Sequence, residues 1–167
     1  TDVLETGYEI LFFLVARMIL MTGYILGQIP FRTVYLHGTV RDAQGRKMSK
    51  SLGNGIDPIE IAEEFGTDAG RMALIVGTGP GTDSKISKDK IKGYKHFANK
   101  LWNITRFVET NAKDADMSAE LTPGDQKLLD EMHTTITEIT NDMEEFRFYL
   151  AAEKIYHYVW HTFADQI

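Results

Sequence analysis

The sequence predicts a mostly α-helical chain with a small α/β part at its N-terminal end. Three observations carry that reading. Apolar residues recur at spacings of three and four over several long stretches. One short run, Thr33-Val34-Tyr35-Leu36-His37, has the β-branched and aromatic content of a buried strand. Two sites, Asp57-Pro58 and Thr122-Pro123, pair a capping side chain with a proline suited to the first helical position.

Taken in order, residues 8–22 read as a helix, because Leu11, Phe12, Val15, Met18, Ile19 and Thr22 share one face. Its most apolar stretch, 10–21, is interrupted by Arg17 and is shorter than the roughly 20 residues that span a bilayer, so a buried helix is expected. The strand at 33–37 ends at Gly38. A polar stretch with Gly45, Gly53 and Gly55 follows over 41–54, with the composition of a mobile loop. Asp57 caps the next helix, Glu60 sits three residues on, and Ile56 and Ile61 are placed for a hydrophobic staple. Gly66 stops this helix, and Thr67 is expected to cap another that ends near Gly77. Residues 77–83, Gly-Thr-Gly-Pro-Gly-Thr-Asp, read as a loop. Beyond Ser87 the chain is expected to be all helical, with a helix over 88–109 and a polar linker over 111–121. The next helix has the apolar face Leu128, Leu129, Met132, Ile136, Ile139 and Met143. A break near 144–147 precedes a last helix carrying Leu150, Ile155, Val159, Trp160 and Phe163.

Composition narrows the class. The chain of 167 residues is 43% hydrophobic and 25% charged, enough apolar content for a real core. It has no cysteine, which excludes a disulfide scaffold and a cysteine-ligated zinc site and favours a reducing compartment. The first residues are polar and acidic, unlike a secretory leader. A cytoplasmic protein without a membrane partner is expected. The net charge of −6 is unevenly spread: residues 1–108 carry +3 and residues 109–167 carry −9. The acidic part reads as a solvated helix surface, and a polyanion would bind the basic part.

Three parts follow: an α/β fragment at 1–56, a small helical connector at 57–86, and a helical bundle at 87–167. One strand does not make a sheet, and the chain stops at Ile167 inside an amphipathic pattern without a cap signal. Both ends are therefore expected to be cut from a longer protein.

The run Lys47-Met48-Ser49-Lys50-Ser51 carries the chemistry. Two ammonium groups three residues apart can reach one polyphosphate, the hydroxyls donate hydrogen bonds, and nearby glycines let the backbone approach. Such groups stabilise the charge that builds on a leaving pyrophosphate. The competing reading is an exposed lysine loop without a ligand. A given five-residue string arises by chance in a chain of this length about once in twenty thousand trials.

That string, after a strand and before a well-capped helix, resembles one of the two signatures of class I aminoacyl-tRNA synthetases. The valine-specific branch of the family is the most similar. The resemblance rests on Thr6-Gly7-Tyr8-Glu9-Ile10-Leu11-Phe12-Phe13 with Val15-Ala16-Arg17-Met18. It rests also on Phe31-Arg32-Thr33-Val34-Tyr35-Leu36-His37-Gly38 with Arg41-Asp42 and Gly45, and on Asn99-Lys100-Leu101-Trp102-Asn103 with Arg106-Phe107.

What the resemblance implies is specific. Residues 1–56 would be the C-terminal end of a Rossmann-type catalytic domain, 57–86 a stem-contact-like connector, and 87–167 the start of an anticodon-binding bundle. The activity would be ATP-dependent attachment of valine to its tRNA through valyl-adenylate. Lys47 and Lys50 would act on the ATP phosphates as catalytic groups. Met48, Ser49 and Ser51 would complete the ATP-binding loop, Met48 mainly by packing it. Gly7, Glu9 and Ile10 would lie against the adenosine, with Glu9 accepting from the ribose. The family usually has aspartate there, and glutamate shifts the charge by one methylene. Leu14 stands where the family usually has a tryptophan on the amino-acid side chain, so it is assigned to that pocket, beside the alternative of a plain core leucine. Magnesium is expected to arrive with ATP, and no protein-bound metal is expected.

Lys85, Lys88, Lys92 and Lys95 are the candidate tRNA contacts within a basic run that also holds Lys90, Lys100 and Arg106. Contacts to a nucleic-acid backbone are sequence-independent and salt-sensitive. The interleaved Tyr94, His96, Phe97 and Trp102 are expected in a core. The other class I signature, His-x-Gly-His, is absent from the sequence. The partners implied are ATP, valine, the valine tRNA and the remainder of a synthetase, and the chain alone is expected to be inactive. Two alternatives stay open: a non-catalytic RNA-binding module of synthetase origin, and a synthetase for another aliphatic amino acid.

Overall fold

A parallel strand pair organises the N-terminal part of the computed structural model, which describes residues 1–113, 118 and 120–166. β1 (Val3–Gly7) pairs in parallel with β2 (Thr33–His37), from Val3 opposite Thr33 to Gly7 opposite His37. β1 escaped the sequence reading because its two apolar residues are adjacent rather than alternating, and its pairing is non-local. The connection between them is helical throughout. It opens with a 3₁₀ turn (Tyr8–Ile10), widens to a π turn (Leu11–Val15), and continues as α1 (Ala16–Leu26), closed by left-handed Gly27.

This helical run corrects the expectation of a short buried helix. It spans 19 residues, Tyr8–Leu26, long and apolar enough by length and composition to cross a membrane. Val15 is buried at 1% exposure, whereas Phe12 is 79% and Tyr24 91% exposed. Apolar spacing reports that a face demands cover, and nothing among the described residues covers this one. The pairing argues against a membrane crossing. The strands that enter and leave the helix lie side by side in one sheet, as a parallel crossover requires, and a spanning helix would leave them on opposite sides.

The chain splits into two compact units, residues 1–55 with 77–87, and residues 56–76 with 88–167. In the first unit β3 (Val40–Arg41) pairs in parallel with β4 (Ser84–Lys85), so the 77–87 segment is part of the α/β unit. Gly38 shows why. A Cβ there would stand 1.9 Å from the Thr82 carbonyl oxygen, so only glycine lets these backbones pass.

In the second unit, α2 (Pro58–Phe65) starts as the sequence predicts. The Asp57 side chain accepts from Ile59 N, Pro58 takes the first position, and Gly66 (φ 92°) ends the helix. α3 (Thr67–Ile75) differs from expectation: Thr67 is already helical and Gly66 occupies the cap position without a side-chain bond. α4 (Lys88–Asn111) buries Ile91 and Phe97. Tyr94 is half-buried, but His96 and Trp102 are exposed, against the expectation that the interleaved aromatics all sit in a core. Part of the 111–121 linker, and Ile167, lie outside the described residues.

α5 (Pro123–Glu144) begins with a full capping box between Thr122 and Asp125. Leu128, Leu129, Met132 and Ile139 are half-buried, whereas Ile136 and Met143 are exposed. The fully buried residue of α5 is Asp142, 3% exposed, beside the expected break, where Phe146 adopts φ 58°. α6 (Phe148–His157) follows, then a π turn (Tyr158–Phe163) and α7 (Ala164–Gln166). Phe97, Tyr156 and Trp160 stack together, with centroids 4.9–6.1 Å apart, and tie α4 to the C-terminal helices.

Candidate functional site

The lysine-rich loop sits on a turn that one carboxylate builds. Asp42, 7% exposed, accepts at Oδ1 from Gln44 N and Arg46 N (3.0 and 2.8 Å). Its Oδ2 accepts from Arg46 Nε at 2.8 Å and from Asn54 Nδ2 at 2.9 Å. Gly45, at φ 81°, closes the turn by donating to Asp42 O. Asn54 then reaches across the loop: its Oδ1 accepts from Ser49 N at 2.9 Å, and its Nδ2 also faces Lys47 O at 3.3 Å. The Asn54 amide and the Arg46 donors hold the Asp42 carboxyl down at about 2. The segment expected to be a mobile loop is therefore pinned at both ends, by charge-assisted bonds stronger than neutral ones.

Within the loop, Lys47 bridges antiparallel to Arg41, and Met48 N donates to Val40 O at 3.3 Å. Ser49 and Ser51 bring their hydroxyls to 3.2 Å, and Leu52 N donates to Ser49 Oγ. Met48 is half-buried, in keeping with packing, and Lys50 is exposed. The Lys47 ammonium lies 2.5 Å from Glu9 Oε2, and the Thr39 hydroxyl donates to Glu9 Oε1 at 3.1 Å. Lys47, then Thr39, hold Glu9 below the usual carboxylate range.

Two groups singled out separately in the sequence, Glu9 and Lys47, are thus brought together. Gly7 is extended (φ −66°), opposite His37, so its dihedrals do not demand glycine. Ile10 is exposed in the 3₁₀ turn, and Leu14 is half-buried in the π turn.

The four candidate tRNA lysines are divided between the two units. Lys85 lies on β4 in the first unit. Lys88 and Lys95 meet at the end of α2. Lys88 pairs with Glu64 at 2.6 Å, which raises its pKa, and Lys95 donates to Glu64 O at 2.8 Å. Both stand over the Phe65 ring, at 5.9 and 5.8 Å. Lys92 is exposed.

The sequence reading did not assign Asp42, Asn54, Thr39, Arg41 or Asp83 to the site. The one available signal was Asp42 three residues before Gly45, a turn signature. Nothing local marks Asn54 or Asp83, which act across 12 and more than 40 residues.

Residues 1–87 match the family described as tRNA synthetases class I (I, L, M and V), and residues 125–167 match the anticodon-binding domain of tRNA ligases. The valine–tRNA ligase of Clostridium acetobutylicum is 44% identical over 99% of this chain, and that of Dehalococcoides mccartyi 46% identical over 98%. This chain spans 19% of the length of each. Among solved structures, the Agrobacterium radiobacter LeuRS–tRNA–LeuAMS ternary complex is similar with a TM-score of 0.76 at 27% identity, over 93% of this chain and 21% of that one. Mycobacterium tuberculosis methionyl-tRNA synthetase in complex with methionyl-adenylate gives 0.75 at 28%, over 93% of this chain and 32% of that one.

Proposed function

Because this chain belongs to the class I tRNA synthetases, we propose that it supplies the ATP-closing loop and tRNA-contacting helices of a cytoplasmic valine–tRNA ligase. In this reading residues 1–55 with 77–87 end the nucleotide-binding domain, 56–76 form the connector and 88–167 begin the anticodon-binding bundle. The valine carboxylate attacks the α-phosphorus of ATP, the bond to the β-phosphate oxygen breaks, and pyrophosphate leaves. A terminal ribose hydroxyl of the tRNA then attacks the carbonyl carbon of the valyl-adenylate, and AMP leaves. Nothing in the loop acts as nucleophile or general base. Its contribution is positioning and charge stabilisation, with Lys47 and Lys50 on the β- and γ-phosphates and the Ser49 and Ser51 hydroxyls beside them. Magnesium accompanies ATP as substrate.

The observation that supports this reading most is the loop's construction. Asp42 and Asn54 hold residues 47–51 in one arrangement, with Lys47 already drawn against Glu9 of the turn assigned to the adenosine. A solvated lysine loop has no need of a buried brace. Glu9 is the resting partner of the ammonium, and the carboxylate turns to the ribose when phosphates take Lys47. Lys88, Lys92 and Lys95 contribute sequence-independent tRNA backbone contacts, and Lys85 extends them.

The test is ATP–pyrophosphate exchange with valine in the full-length protein. Replacing Lys47 and Lys50 together by alanine should cut the rate by about 10²-fold or more, in line with the loss of preorganised charge stabilisation. Exchange within two-fold of the parent would overturn the reading and leave the RNA-binding module. The same assay run with leucine and isoleucine reads the pocket at Leu14. The chain alone should show no exchange, because it spans 19% of the relatives' length.

A further inference from the structure

We infer that Asp83 is a positioning residue for the phosphate-binding loop, holding Thr39 and Arg41 so that Glu9 and Lys47 meet. This rests on the functional reading above and names a residue outside the loop that the reaction depends on.

The connections are direct. Asp83 Oδ1 accepts from Thr39 N at 2.8 Å, and Oδ2 accepts from Arg41 Nε at 2.6 Å. The Tyr8 side chain lies close enough to the same carboxylate to help lower its pKa, after Thr39 and Arg41. Each partner leads to Lys47 by its own route. Thr39 donates its hydroxyl to Glu9, which holds the Lys47 ammonium. Tyr8 precedes Glu9 in the 3₁₀ turn, next to the residue whose carboxylate holds Lys47. Arg41 donates from Nη1 to Gly45 O at 3.2 Å and bridges to Lys47 through the backbone.

Asp83 is itself fixed by the close passage of the 77–87 segment. Gly81 N donates to Leu36 O, Ser84 N to Thr39 O, and Ile86 N to Arg41 O. The Arg41 guanidinium is engaged by Asp83 at 2.6 Å, and the Lys47 ammonium is the cation paired with Glu9.

The experiment is ATP–pyrophosphate exchange by the full-length protein carrying Asp83→Asn, Tyr8→Phe or Lys47→Ala. Asp83→Asn should raise the KM for ATP roughly ten-fold while the KM for valine stays within two-fold, the split expected of a misplaced phosphate contact. Tyr8→Phe, which removes a single hydroxyl, should move the same constant in the same direction by about two- to three-fold. If Asp83→Asn fails to fold, Tyr8→Phe carries the test alone. Two results overturn the inference while the functional reading stands, both with exchange lost in Lys47→Ala. One is an unchanged KM for ATP. The other is an equal rise in both KM values with a lowered Tm, which marks a structural role only. Full exchange in Lys47→Ala overturns the functional reading and this inference together.

Discussion

Two buried aspartates do similar work at opposite ends of the sequence. Asp42 turns the chain at the base of the lysine loop and Asp142 turns it at the end of α5. Each holds an arginine a few residues on: Arg46 at 2.8 Å, and Arg147 at 2.8 Å. Each also holds a distant group: Asn54 at 2.9 Å, and Lys154 of α6 at 2.9 Å. Both carboxyls are held below the usual carboxylate range, Asp42 chiefly by Asn54 and Asp142 chiefly by Lys154. The difference lies in what is braced. Asp42 braces a surface loop in which Lys50 is exposed and Lys47 pairs with Glu9. Asp142 braces a corner between two helices, where Lys154 also reaches Glu138 at 3.1 Å and Arg147 also pairs with Glu145. One device braces an exposed loop and the other braces a helix corner.

The comparison breaks most visibly at Asp42. Asp42→Asn turns an acceptor into a donor facing Arg46 Nε and Asn54 Nδ2, so the loop should lose its brace. Exchange activity should fall by about ten-fold, together with a fall in Tm of a few degrees, because the ionised carboxyl also contributes stability. A lowered Tm with exchange unchanged would make Asp42 a folding residue like Asp142. The mirror experiment is Asp142→Ala, which leaves Arg147 and Lys154 without their shared carboxylate. It should lower Tm by about 5 °C in calorimetry and leave the KM for ATP unchanged.

Acid sharpens the pair further. The folded Asp42 carboxyl sits at about 2, against an ordinary 3.8. A depressed value contributes stability that is fully present above the ordinary value and is lost as pH falls through the folded one. Carboxyl NMR should therefore show the Asp42 resonance unshifted at pH 3.5 and titrating near 2. A titration near 3.8 would mean the brace is absent in solution. The smallest effect is expected at the other end of α5. Thr122→Ala removes the capping box and should cost about 1 kcal/mol in denaturant unfolding, without touching exchange.

The helices were legible because their signals are local. Asp57-Pro58, Gly66 and Thr122-Pro123 act within four residues, and the structure puts α2 and α5 where those residues ask. β1 and β4 were not legible, because a strand defined by a partner thirty or more residues away leaves little trace in its own residues. The lysine loop could be picked out as a string, but not its brace. Asn54 and Asp83 are ordinary loop residues until folding brings them to Ser49, Thr39 and Arg41. The exposed run at 8–26 shows the converse, since its apolar spacing was plain and its burial could not be inferred from it.

Amide hydrogen exchange across residues 42–54 of the full-length protein, with and without saturating ATP, tests the central claim most directly. The account predicts measurable protection at Ser49 without ligand, from its bond to Asn54, and a further slowing over residues 47–53 with ATP that Asp42→Asn abolishes. Exchange over 47–53 that ATP leaves unchanged would contradict it.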